Sequence, residues 1–203
     1  MSEGAAKRFM YPSTVALEAL ARASAAAAKA RAAALDLSTY ASFQIQRNDL
    51  VAFNIKPLVN EFPQGFGLMI NNIVSAAKEA VEAITAYLSI VEGVAKRSGV
   101  PGAERLARVS KVLLRRYLAL SAAQVRLWQK YGSWRGSGAP NDPEMTELAI
   151  EAIRKAVNFG LYVPVAVEEI TTVARELGLL GRVKETPEYG EPLGFSGSEG
   201  GQA

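Results

Sequence analysis

The side chains that most enzymes use for proton transfer and metal binding are missing from this chain. Its 203 residues include no histidine and no cysteine. That removes the commonest general base, the commonest transition-metal ligand, thiolate chemistry and disulfides. Only three aspartates occur, Asp36, Asp49 and Asp142, far apart in sequence. There is no phosphate-binding GxxxxGK(S/T) loop and no GxGxxG turn. The run from Gly132 to Gly138 is glycine-rich, but it lacks the lysine of a nucleotide loop and reads as a linker. Glu79 and Glu82 resemble a carboxylate pair, yet with Lys78 adjacent they read as an exposed helix face. The expectation is a protein with no catalytic residue, no metal, no cofactor and no small-molecule substrate.

What remains is positive charge, and it is concentrated. Residues 1–141 hold 18 of the 23 basic side chains and 9 of the 20 acids, a net +9. Residues 142–203 hold the other 5 bases and 11 acids, a net −6. A polyanion suits the first part and is repelled by the second. Between Pro101 and Tyr131, Arg105, Arg108, Lys111, Arg115, Arg116, Arg126 and Lys130 stand against the single acid Glu104. On a helix, at ~100° per residue, these seven cations fall within an arc of about 140°. Like charges on one face repel, which points to an anionic counterpart. The plainer alternative is a solvated face, or one neutralised by Glu147, Glu151, Glu168 and Glu169 of the same chain.

A second basic segment, residues 21–34, reads ARASAAAAKARAAA: ten alanines with Arg22, Lys29 and Arg31, and no acid. Alanine favours helix strongly, but it buries little area, so firm docking into a core is not expected. A smooth helix does allow its backbone to come close to another surface. That surface could be a phosphate backbone, another helix or a neighbouring subunit. Few Asn or Gln base readers accompany the cations, and the cations are spread along whole helices. Backbone contact without base readout fits better than a short recognition helix.

These residues must be positioned by helices. The chain is long enough for one domain with a sizeable core, and no alternating strand pattern occurs. Ser13 or Thr14 can cap a helix running to about Leu35, and a second is expected over roughly 38–55, stopped by Pro57. The third, about 68–97, is the clearest. Ile70, Val74, Ala77, Val81, Ile84, Leu88, Val91 and Ala95 alternate steps of four and three, the seam of a bundle. A fourth, about 102–131, carries the stripe Leu106, Val109, Leu113, Tyr117, Leu120, Leu127 and Tyr131. Two such helices, each roughly 45 Å long at ~1.5 Å per residue and joined by a short link, should pack antiparallel. Asp142-Pro143-Glu144 starts a fifth helix that ends at Gly160, and a sixth runs from Pro164 to Gly178.

Phe43, Phe53, Phe62 and Phe66 are expected in a core or interface, as are Trp128 and Tyr131. Trp134, beside Arg135, is placed in a loop, where it either meets a base, a partner or lipid, or packs back on its own domain. The longest uncharged run, from Ala156 to Val167, is too short to cross a membrane. The N-terminal segment makes a poor signal-peptide core. The expected division is 1–57 as an N-terminal arm with basic helices, 58–181 as a helical bundle, and 182–203 as a Gly/Pro/Glu tail.

An alanine-rich basic arm (residues 13–55, with Arg22, Lys29, Arg31 and Arg47) ahead of a helical bundle (Leu68 to about Leu177) resembles the major coat proteins of filamentous and rod-shaped viruses of hyperthermophilic archaea. The resemblance implies an all-α coat protein located in the virion. Such subunits act as homo- or heterodimers with a paralogous coat protein and wrap linear double-stranded DNA, held in A-form, into a helical filament. In some members a lipid envelope surrounds it. The matching contacts would be the cations of the first two helices, with the face of the fourth helix as a second contact. The acidic tail after Lys184 has no counterpart. Two other readings stay open: a nucleic-acid-binding accessory subunit of a nucleoprotein complex, and a protein–protein adaptor.

Overall fold

The structure is a computed structural model that describes residues 12–47, 62–99, 102–137 and 142–180. Among the described residues there are four long helices: α1 (Pro12–Arg47), α2 (Phe66–Ser98), α3 (Ala103–Ser137) and α4 (Pro143–Glu176). No strand occurs among the described residues, and the chain is an all-α bundle. The terminal segments 1–11 and 181–203 lie outside the described residues, as does the stretch 48–61 with Phe53. The expected arm tip, acidic tail and end of the second helix fall there.

The helices alternate in direction. Arg105 at the start of α3 meets Glu176 at the end of α4, whereas Lys130 near the end of α3 meets Glu144 at the start of α4. Gln124 and Trp128 of α3 reach Asn71 in the second turn of α2, so α2 and α3 are antiparallel. Arg31, Ala34 and Leu35 of α1 meet Val157, Gly160 and Leu161 of α4, and the groove beside them continues back to Leu20 on α1 and on to Arg175 on α4, so these two helices are antiparallel as well. Each helix thus runs opposite to its sequential neighbour, the expected result of short links between α2, α3 and α4. Helices α1 and α3 stand at opposite corners, while α2 and α4 touch across the middle.

Three expected breaks are absent. The first and second predicted helices are one, because nothing between Ser13 and Arg47 is Gly or Pro. Leu37, at the presumed boundary, is fully buried and continues the seam Ala23, Ala27, Ala30, Ala34, Leu37 and Ala41. Helix α3 also runs past Tyr131 to Ser137, which places Trp134 on a helix rather than in a loop. The fifth and sixth helices are one as well: α4 continues through Gly160 and Pro164. An internal proline costs about 3 kcal/mol. The surrounding turns bury Ala156, Phe159, Val163 and Val167, and that burial offsets the cost.

The alanine segment is also not a loose arm. Helix α1 packs between α2 and α4 as a full member of the bundle, and the expected division at residue 57 lies outside the described residues. Small size on both sides makes this work. A Cβ added at Gly160 would lie 2.5 Å from the Ala34 Cβ and 3.5 Å from the Arg31 Cα, so α1 and α4 touch almost backbone to backbone. Many close contacts of low individual value replace a few large ones.

The α2 seam is buried as expected at Ile70, Ala77, Val81, Ile84, Leu88, Val91 and Ala95. A further set, Ile73, Ala76, Ala80 and Tyr87, is buried because α2 has three neighbours rather than one. Tyr87 donates to the Thr171 hydroxyl across the core at 3.4 Å, and Thr171 donates to the Val167 carbonyl at 2.7 Å. Burial pushes the Tyr87 phenol above its ordinary pKa, against the opposing effects of Thr171 and the Arg175 charge. At one end of the bundle Phe62 stacks on Tyr131 (4.4 Å) and meets Trp128 edge-on (4.8 Å), and Tyr131 leads on to Trp134 at 5.9 Å. Trp134 therefore packs back on its own domain.

Candidate nucleic-acid interface

The eleven cations singled out from the sequence have different fates. On α1, Arg22 and Arg31 are exposed, and no carboxylate lies within ion-pair distance of either among the described residues. Nine residues apart, they point about 180° from one another at ~100° per residue. Lys29, on the α2 side, donates to Glu79 at 2.6 Å. Arg31 lines the α1/α4 groove instead. The cations of α1 therefore do not form one face. The backbone of Arg47 belongs to α1, but its side chain lies outside the described residues.

On α3 the basic arc divides lengthwise. Arg105 holds Glu176 with one nitrogen at 3.0 and 3.4 Å from its two carboxylate oxygens. Arg126 donates to Glu151 at 2.8 Å. Lys130 reaches Asp142 at 2.9 Å and Glu144 at 2.6 Å. All four acids come from α4 or its cap, so both ends are neutralised within the chain, through Glu151 of the expected acids and through Asp142, Glu144 and Glu176, which were not among them. Between these ends, Arg108, Lys111 and Arg115 are exposed and have no carboxylate within 4.0 Å among the described residues. They lie three and four residues apart, one turn above the next.

Arg116 is held differently. Its guanidinium donates to the Asn158 carbonyl at 2.6 Å and lies over the Tyr162 ring at 4.6 Å. Burial raises the Tyr162 pKa first and the Glu169 charge adds to it, while Arg116 opposes both. Across the gap, α4 places Lys155 beside Arg115 and Arg116, where the three line a cleft with Ala119 and Asn158. Lys155 was not among the expected contacts, because the acidic balance of residues 142–203 masked it. Lys155 lies one turn beyond Glu151, the partly buried acid that Arg126 of α3 holds, and that spacing is a signal that could have pointed to α3.

The Lys130 cluster also caps α4. Asp142 accepts from the Glu144 and Met145 amides at 3.0 and 3.2 Å while it pairs with Lys130. The Lys130 ammonium holds the Asp142 carboxyl below its ordinary pKa, with the two amides adding to the effect against partial desolvation. Asp142, then Glu144, in turn raise Lys130. These groups serve the fold, and an outside anion would have to displace them.

Two apolar surfaces complete the exterior. Along the outside of α1 run Leu17, Ala21, Ala25, Ala28, Ala32 and Leu35, all exposed, with both leucines at 48%. Beside them a groove of about 610 Å³ separates α1 from α4. At the opposite corner, α3 exposes Leu114, Leu118 and Val125 on the flank away from α4. Glu79 and Glu82 lie on the outside of α2, the first taken by Lys29 and the second 4.0 Å from Lys78. Among the described residues no acidic group could hold a metal ion, and no helix is long and apolar enough to cross a membrane. No protein-family model, curated protein or solved structure matches this chain.

Proposed function

We propose that the chain is a structural, non-catalytic subunit that coats double-stranded DNA, polymerising on it through phosphate contacts without reading its sequence. The observation that carries this reading is the row Arg108, Lys111 and Arg115 in the N-terminal half of the 35-residue helix α3, which has no carboxylate within 4.0 Å among the described residues. Among the described residues the bundle offers acids to its basic helix at both ends and none within 4.0 Å of this row. Arginine and lysine in such a row neutralise successive phosphates and release their counterions. The exposed apolar surfaces support the polymer. A chain that assembles head to tail needs two different contact patches, and the outer stripes of α1 and α3 lie at opposite corners of the bundle. The same role is implied by the resemblance to coat proteins of filamentous and rod-shaped archaeal viruses, which would place the chain in a virion. A paralogous partner subunit and an envelope belong to that resemblance alone.

The test is titration of the purified chain with labelled duplex and single-stranded DNA over a range of salt, followed by negative-stain microscopy of the mixture with linear duplex. The expected result is preference for duplex, little dependence on sequence, an affinity that falls steeply with salt, and filaments. Preference for single strands without filaments would favour an accessory subunit of a nucleoprotein complex. No binding to either, and no nucleic-acid absorbance in purified material, would overturn the reading in favour of an adaptor.

A further inference from the structure

The charge division along the chain makes α4 the helix that ought to repel an anion, yet its one lysine, Lys155, lines a cleft with the basic face of α3. The cleft between these helices has a volume of about 410 Å³ and is lined by Arg115, Arg116, Ala119, Lys155 and Asn158. No acid is among its lining residues. None of its three cations has a carboxylate within 4.0 Å among the described residues, although acids one turn or more away on α4 are engaged: Glu151 by Arg126, and Glu176 by Arg105. Alanine at position 119 leaves the space open.

Two features make this more than a chance meeting of surface cations. Arg116 is already fixed, by its bond to the Asn158 carbonyl and by the Tyr162 ring beneath it. One nitrogen is committed, and the remaining guanidinium donors are held in a planar fork that matches an oxyanion. A ligand would not have to freeze that side chain, so little ordering cost remains. The other two cations approach from different helices, Arg115 from α3 and Lys155 from α4. Three positive groups thus converge from separate directions on one volume, whereas Arg108 and Lys111 form an open row along a single helix.

We infer that this cleft is a seat for a phosphate group, gripped by Arg115, Arg116 and Lys155 across the α3/α4 gap. The inference rests on the proposed function in that the phosphate is taken to be a DNA phosphodiester. A free phosphate would satisfy the same chemistry. With the phosphate seated, the duplex backbone follows α3 from the cleft past Lys111 to Arg108, and the cleft sets its register.

The full-length chain and its Lys155→Gln variant are compared in two assays. In the first, duplex DNA affinity is measured between 50 and 200 mM salt. Because the three cations share one phosphate, Lys155→Gln should reduce the log–log slope by up to about 0.9, and adding Arg115→Gln should complete that loss rather than double it. Lys155→Arg should restore the slope, and Lys96→Gln on α2, whose lysine is paired with Glu92, should leave it unchanged. In the second assay, inorganic phosphate and pyrophosphate are titrated while Tm is followed. They should raise the Tm of the parent chain but not of Lys155→Gln. A DNA slope that does not respond to Lys155→Gln or to the double variant overturns the cleft and leaves the DNA-coating function standing. Phosphate stabilisation that depends on Lys155, in a chain that binds no DNA, keeps the cleft as a free-phosphate site and overturns the coating function. A chain that neither binds DNA nor is stabilised by phosphate overturns both.

Discussion

The middle and the ends of α3 carry the same residue types at the same helical spacing, yet they differ in what they face. At the ends, Arg105, Arg126 and Lys130 each grip an acid supplied by α4 or its cap. In the middle, Arg108, Lys111 and Arg115 extend into solvent, and Arg116 turns to a carbonyl and a ring. Identical chemistry therefore does two jobs. The ends fasten two antiparallel helices in register, and the middle stays available to an outside anion. A basic helical face measures binding capacity only after its internal partners have been subtracted.

The strongest way to break this comparison is to reverse the free row. Arg108→Glu, Lys111→Glu and Arg115→Glu together should abolish DNA retention while leaving helicity and Tm nearly unchanged, as read by gel shift and circular dichroism. Retention by this triple variant would remove α3 from the interface.

A neutralising series sharpens the contrast. Changing the same three residues to Gln should lower the salt slope by about 2.7, on the order of 10²–10³-fold in affinity at 0.1 M salt. Changing Arg105, Arg126 and Lys130 to Gln should instead leave the slope nearly constant and lower the Tm. A slope that falls equally in both series would erase the distinction between ends and middle.

A smaller effect runs the other way. Glu151→Gln frees Arg126 and Glu176→Gln frees Arg105, so each should steepen the salt slope by up to about 0.9. The stability lost should be small, since exposed pairs are worth about 0–1 kcal/mol. An unchanged slope would mean that these ends point away from the DNA.

The smallest effect concerns pH. Asp142→Asn keeps a good cap for α4 but removes the ion pair with Lys130. The folded carboxyl has a lowered pKa, so its contribution is complete above about pH 4 and is lost as pH falls through that depressed value. The folded ammonium has a raised pKa, so its contribution is complete below about pH 10 and is lost as pH rises through that elevated value. The parent chain should therefore melt above Asp142→Asn across the interval between, with the gap closing at both extremes. A gap independent of pH would show that the pair does not fasten this end of α3.

Much of this arrangement was legible in the residues. The α2 seam from Ile70 to Ala95 and the α3 stripe from Leu106 to Leu127 are buried where periodicity put them, apart from Val74 and Tyr117, which are partly buried. The Asp142 cap forms as its Asp-Pro-Glu signature required. Boundaries were read less well. Pro164, Gly160 and the stretch Asp36-Leu37-Ser38 looked like stops, but the turns on either side are buried in the bundle, and tertiary packing outweighs local preference there. The alanine helix docks against expectation for a related reason. Its small side chains carry little energy singly, and only the presence of Gly160 opposite them shows that close approach compensates.

Residue types and their spacing were enough to establish helices throughout, a chain without histidine or thiol chemistry, and an arc of cations on α3. Those properties are local, because ~100° of turn per residue places every side chain around its own helix axis. Which cations stay free, which become fasteners, and that Lys155 joins α3 from an otherwise acidic segment depend on a distance of a few ångströms between different helices. That distance is set by how α4 packs against α3, and no pattern along a single helix contains it.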